Sequence, residues 1–177
     1  MSKPIVRWFL ATALLGWSVS ACQSTADRAV AVDVDARVFP SDRGKGVLGV
    51  WIVDARTGRK LESLMDGASK SMRPVFSPDK VWLAVEDEVI DGFTSVRLFH
   101  HESDGGFRRI PEEDYLFGLL QEFYSANGLN EGNIRSSAIT LGKWSGNGRS
   151  LVLDFTATRH DGKVSKRTST IDLERLE

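Results

Sequence analysis

Pro74-Val75-Phe76-Ser77-Pro78-Asp79-Lys80-Val81-Trp82-Leu83-Ala84-Val85 is the stretch on which the fold turns. An aromatic, a serine and a Pro-Asp turn stand directly before an apolar strand. Val81, Leu83 and Val85 alternate on one face and Trp82 and Ala84 on the other, the period of a β-strand. Gly142-Lys143-Trp144-Ser145-Gly146-Asn147-Gly148-Arg149-Ser150-Leu151-Val152-Leu153 repeats the plan, with Phe76 and Trp144 standing 68 residues apart. A fainter third copy runs Val38-Phe39-Pro40-Ser41-Asp42, followed by Val50-Trp51-Ile52-Val53-Asp54. The expected physics is common to the copies. The aromatic packs between sheets, Ser and Asp cap the tight turn, and the following strand is buried.

Outward from these copies the chain stays strand-like. Val47 to Val53 is apolar and β-branched, and Asp54-Ala55-Arg56-Thr57-Gly58 is a turn signal after it. Ser95 to His100 follows a Gly-containing connection at Asp91-Gly92, and Phe107 to Ile110 follows the turn Asp104-Gly105-Gly106. Leu151, Leu153 and Phe155 alternate with Val152, Asp154 and Thr156. The hairpin turn His160-Asp161-Gly162-Lys163 then leads into a strand from Val164 to Leu173. One segment has a helical period. Leu116, Leu119, Leu120 and Phe123 recur at i, i+3, i+4 and i+7, after acids Glu112, Glu113 and Asp114 and before the stop Asn127-Gly128. This predicts a helix over 112–126. Its Leu/Phe stripe is read as a core contact against a sheet, with a docking helix for a partner as the alternative.

The repeated stretch resembles the blade signature of WD-like, TolB-type β-propeller repeats, in which aromatic-Ser-Pro-Asp-Gly precedes a buried strand. The first copy departs from it by lacking the turn glycine, and the second by carrying Gly146-Asn147 in place of Pro-Asp. The resemblance implies antiparallel blade-like meanders. A closed propeller takes four or more blades of about 40 residues, more than this chain provides. The expected fold is mainly β with one helix. It holds two antiparallel four-stranded blade-like sheets, with room for a partial third, and is not a closed propeller.

The first segment reads as an address. Lys3 and Arg7 precede an apolar run from Trp8 to Trp17, the length of a signal-peptide core and about half of a bilayer span. The run ends in Val19-Ser20-Ala21-Cys22, where Cys22 is the one cysteine of the chain. This junction resembles the lipobox of bacterial lipoproteins. The resemblance implies that the Cys22 thiol receives a diacylglyceryl group, that the chain is cut before it, and that the new amino terminus is acylated. An ordinary secretory signal with a leftover free cysteine is the alternative. In that family Asp after the cysteine retains the protein in the inner membrane, and the residue here is Gln23, which implies the outer membrane facing the periplasm.

The expected organisation is a lipoprotein signal peptide over 1–21, a lipidated cysteine and tether over 22–36, and a β-rich blade-like domain over 37–177. Cleavage would leave 156 of the 177 residues and lower the net charge from −1 to −3, because Lys3 and Arg7 depart. With 41% hydrophobic and 27% charged residues the chain is globular, and a slightly acidic domain has no electrostatic reason to bind nucleic acid.

The side chains offer little convergent chemistry. His100 and His101 are adjacent and point to opposite faces of a strand, and His160 flanks a hairpin turn. No H-x-x-x-H pair or C-x-x-C marks a zinc site. Glu86, Asp87, Glu88 and Asp91 form an acidic run that suits a hard cation such as calcium, or else a charged loop or guarded sheet edge. Trp51, Trp82 and Trp144 read as core, with a binding face as the alternative. Lipidation at Cys22 is therefore the one site expected, with no catalytic, cofactor or metal residue. The expected function is a membrane-anchored periplasmic lipoprotein, not an enzyme. It meets the lipid bilayer through acylated Cys22 and an envelope protein as partner. The alternative is a small-ligand or cation-binding envelope protein.

Overall fold

The turn signals divide the chain into three antiparallel meanders. The computed structural model describes residues 33–90, 92–110 and 115–176. The first meander is β1 (Val34–Pro40), β2 (Leu48–Asp54) and β3 (Lys60–Gly67). The second is β4 (Ser71–Phe76), β5 (Trp82–Ile90), β6 (Phe93–His101) and β7 (Phe107–Ile110). After helix α1 (Leu116–Ala126) come β8 (Ile134–Trp144), β9 (Ser150–Arg159) and β10 (Val164–Asp172), ending in a 3-10 turn over Leu173–Arg175. The fold is thus mainly β with one helix, as expected.

The first meander is a sheet of three strands. The second and third join into a sheet of seven, in the order β10-β9-β8-β6-β5-β4 with β7 also on β6, and neither sheet closes. The joint is short: β6 and β8 run parallel, with Phe93 opposite Ser137 and Thr94 opposite Ala138. Only the second meander has the four strands of a full blade. The first stops at three because β3 leads through residues 68–70 straight into β4. Residues 34–36, given to the tether from the sequence, already belong to β1.

All three copies of the repeated pattern sit at the first hairpin of a meander. Phe76 closes β4 and packs 5.9 Å from Phe107, while Trp144 closes β8 and is half-buried. The two turns that follow share one hydrogen-bond network. Ser77 N–H donates to Trp82 O at 2.9 Å, and Ser145 N–H to Ser150 O at 2.8 Å. Ser77 Oγ accepts from Trp82 N–H and donates to Asp79 Oδ1, and Ser145 Oγ does the same with Ser150 N–H and Asn147 Oδ1. Asn147 therefore keeps the oxygen that Asp79 uses. Both turns need a left-handed residue at the fourth position. Gly148 supplies it with φ 74°, and Lys80 adopts it with φ 60°, the one non-glycine among the described residues to do so. Lys80 also reaches across to the first meander, where its Nζ donates to Asp33 Oδ1 at 2.6 Å and Val34 O at 3.1 Å.

The second meander lies between two cores, which explains why its strands are apolar on both faces. Leu83, Val85 and Phe99 join Val50, Ile52, Met65 and Met72 in one cluster. Trp82, Ala84, Val96 and Leu98 face the other cluster, with Leu151, Leu153, Phe155 and Ile171 of the third meander. The helix stripe closes that second core. Leu116 and Phe123 are buried, and the Phe123 ring lies 5.8 Å from Phe155. Most of the stripe is thus a core contact, and the acids Glu112 to Asp114 lie outside the described residues.

Candidate functional site

The signal-peptide segment, Cys22 and the tether as far as Val32 lie outside the described residues. Among the described residues, no helix is long and apolar enough to cross a membrane.

The described part of the acidic run is neither a loop nor an edge. Glu86, Asp87 and Glu88 lie within β5, which is flanked by β4 and β6. Each is matched by a group from another element. Asp87 is 1% exposed, accepts from Ser69 Oγ at 2.5 Å and forms an ion pair with Arg97 at 3.1 Å. Glu86 stands opposite Arg73 in the β4–β5 register and pairs with its Nη2 at 2.8 Å. Ser71 Oγ donates to Glu88 Oε2 at 3.2 Å. Successive strand side chains point to opposite faces, so these three carboxylates do not converge on one ion. Asp91 lies outside the described residues. Among those that are described, no group of three or more His, Cys, Asp or Glu is placed to hold a metal.

Glu86 does more than balance Arg73. Its Oε2 accepts the Leu141 N–H at 2.7 Å, while Arg73 Nη2 donates to the Leu141 carbonyl at 3.3 Å. The pair occupies the backbone of β8 just where β8 has parted from β6. A substitute for strand pairing is thereby built from two side chains.

The histidines divide as their adjacency requires. His100 lies against Trp82, ring centroids 4.7 Å apart, and His101 stacks on Phe107 at 4.8 Å. Nδ1 of His100 is 3.4 Å from Glu102 Oε1, which also accepts from Arg108 Nε at 2.5 Å. The Arg108 hydrogen bond, with His100 second, holds the Glu102 carboxyl below its ordinary range.

The three tryptophans do not share a surface. Trp82 is buried at 3% exposure and Trp144 packs against the same core. Trp51 is half-buried outside both core clusters. Lys60 Nζ sits 4.5 Å from its ring centroid and 4.4 Å from that of Phe39, so one ammonium is shared by two aromatic faces. Gly49 keeps this place open, because a Cβ there would collide with the Asp66 carboxylate and approach Trp51 Nε1.

A shallow apolar cleft of about 180 Å³ opens between the β5–β6 hairpin and α1, lined by Val89, Phe93, Leu120, Tyr124 and Ile139. Tyr124 donates from its hydroxyl to Ser137 Oγ at 2.8 Å at the cleft wall. The cleft is not legible in the sequence, because it arises where the helix and β8 meet the β5–β6 hairpin, which is distant from them in sequence. No family model matches the chain, and no curated protein matches it.

Proposed function

We propose that the protein is a lipid-anchored envelope lipoprotein, held through acylated Cys22 and facing the periplasm, that acts by protein interaction or envelope assembly and not by catalysis. The observation that carries the reading is the junction Val19-Ser20-Ala21-Cys22 after a basic and then apolar leader, with Cys22 the sole cysteine of the chain. Two or three acyl chains bind far beyond the marginal affinity of one, at about 0.8 kcal/mol per buried methylene. The body adds support of another kind. Glu86, Asp87, His100 and His101 are engaged in cross-strand pairs and ring contacts, whereas Val89, Phe93 and Phe117 remain exposed, apolar surface that suits a protein partner. Metabolic labelling with palmitate tests it: wild type incorporates label and sediments with membranes, and Cys22→Ala does neither. An unlabelled, soluble wild-type protein would remove the proposal.

A second reading, a small-ligand envelope protein, draws on the Phe39–Trp51–Lys60 face. A thermal-shift screen with calcium and glycans separates the two, since a ligand site raises the midpoint for at least one compound. A flat response across the panel counts against this second reading.

A further inference from the structure

A strand edge is a template for another strand unless something guards it. Most open edges of this fold carry a guard. β4 contains Pro74, which has no N–H to offer. β3 meets β2 through two register shifts, and such irregularities twist an edge away. β1 ends in Pro40, with its Val34 carbonyl taken by Lys80. The part of β8 beyond its contact with β6 has its Leu141 backbone occupied by Arg73 and Glu86.

β10 has no proline, no register shift and, among the described residues, no side chain bonded to its outward backbone, and its one lysine, Lys166, stands near its start. The strand runs nine residues, pairs with β9 in unbroken register, and has no other strand beside it among the described residues. Arg159 N–H donates to Lys163 O, and Leu173 N–H to Arg149 O, so the odd-numbered residues bond towards β9. Alternation then turns the N–H and C=O groups of Val164, Lys166, Thr168, Thr170 and Asp172 outward. An ion pair from Arg167 to Glu122 of α1 holds the strand from its inner side.

We infer that this edge is a docking site for a second copy of the same chain, pairing β10 with β10 antiparallel about a two-fold axis through Ser169. Charge complementarity selects that partner and that register. β10 is basic at its start, with Lys166, and acidic at its end, with Asp172. The two-fold sets Lys166 of each copy opposite Asp172 of the other, and Thr168 opposite Thr170. Opposite charges and threonine pairs across strands are both favourable. All four side chains are exposed in the single chain, where Asp172 accepts from Glu174 N–H and lies 3.4 Å from Arg175 Nε, and Thr168 Oγ1 donates to Asp154 Oδ1, so Lys166 would add to contacts that Asp172 already makes. The inference goes beyond the anchoring proposal and does not need it.

The test measures mass by light scattering on the full chain, as wild type in detergent and as Cys22→Ala in buffer. Both are expected to be dimers, which separates this inference from the anchor. Lys166→Asp and Asp172→Lys each set like charges opposite one another twice per dimer, and should raise the dissociation constant about tenfold. An equimolar mixture of the two variants restores opposite pairs and should recover the dimer. Monomeric wild type at every concentration would overturn the inference. So would a dimer that neither variant weakens, or outward β10 amides protected from exchange in a monomer, which would mean that the same chain covers the edge.

Discussion

Replacing Asp87 with Ala removes a carboxylate that is 1% exposed, together with its two partners' anchor point. Ser69 Oγ loses an acceptor at 2.5 Å and Arg97 loses an ion pair at 3.1 Å. Breaking a buried pair from one side costs about 3–5 kcal/mol, because a desolvated charge stays behind. Arg97 is 23% exposed and keeps other interactions, so the lower end applies, about 3 kcal/mol. With a urea slope near 2 kcal/mol/M, the unfolding midpoint followed by tryptophan fluorescence should fall by about 1.5 M at constant slope. Replacing both partners with apolar residues of similar volume should cost far less than Asp87→Ala, since no charge is then stranded. The same titration run with calcium decides between structural and cation-binding roles for the acidic run. Wild type should show no calcium shift. A loss for Asp87→Ala under about 0.5 kcal/mol, the range of surface changes, would refute the reasoning. A calcium stabilisation present in wild type and absent in the variant would refute it as well.

Further predictions concern the turns, the helix and the His100–Glu102–Arg108 contact. Gly148→Ala should cost about 2 kcal/mol in urea unfolding, since φ is 74° and a Cβ would stand 2.5 Å from the Asp79 carboxylate. Gly162→Ala, with positive φ but open space, should cost about 1 kcal/mol in the same assay. Phe123→Ala should lose about 3–5 kcal/mol, and Phe117→Ala, at 55% exposure, under about 0.5 kcal/mol. The Glu102 carboxyl should titrate below the ordinary glutamate value of 4.5 by NMR, and Arg108→Ala should move it upward. Because its folded pKa is lowered, its contribution is present above the unfolded pKa and fades as pH falls through the folded one.

What could be read from the sequence was local. Phe107–Ile110 emerged as a strand with its bounds intact, and the Asp161-Gly162 hairpin joins β9 and β10 where the turn chemistry placed it. The aromatic-serine copies mark the opening hairpin of every meander, and in the second and third meanders turn and cap are made within six residues. β3 and β8 are not legible in the sequence for a common reason. Register shifts between Val50 and Trp51, and between Leu141 and Trp144, break the alternation that reveals a strand. The setting of Glu86, Asp87 and Glu88 is not legible in the sequence because their compensation is distant. Ser69, Arg73 and Arg97 lie on other elements, and only strand pairing brings them to β5. The β10 edge is likewise invisible in one dimension, since an edge is defined by what does not lie beside it.

The anchor at Cys22 is the centre of the functional account, and the mature amino terminus tests it most directly. Mass spectrometry of the protein purified from membranes should find a first residue of Cys22 bearing a diacylglyceryl thioether and an acylated amine. A mature chain that starts at another residue, or that carries Cys22 with a free thiol, would contradict the account.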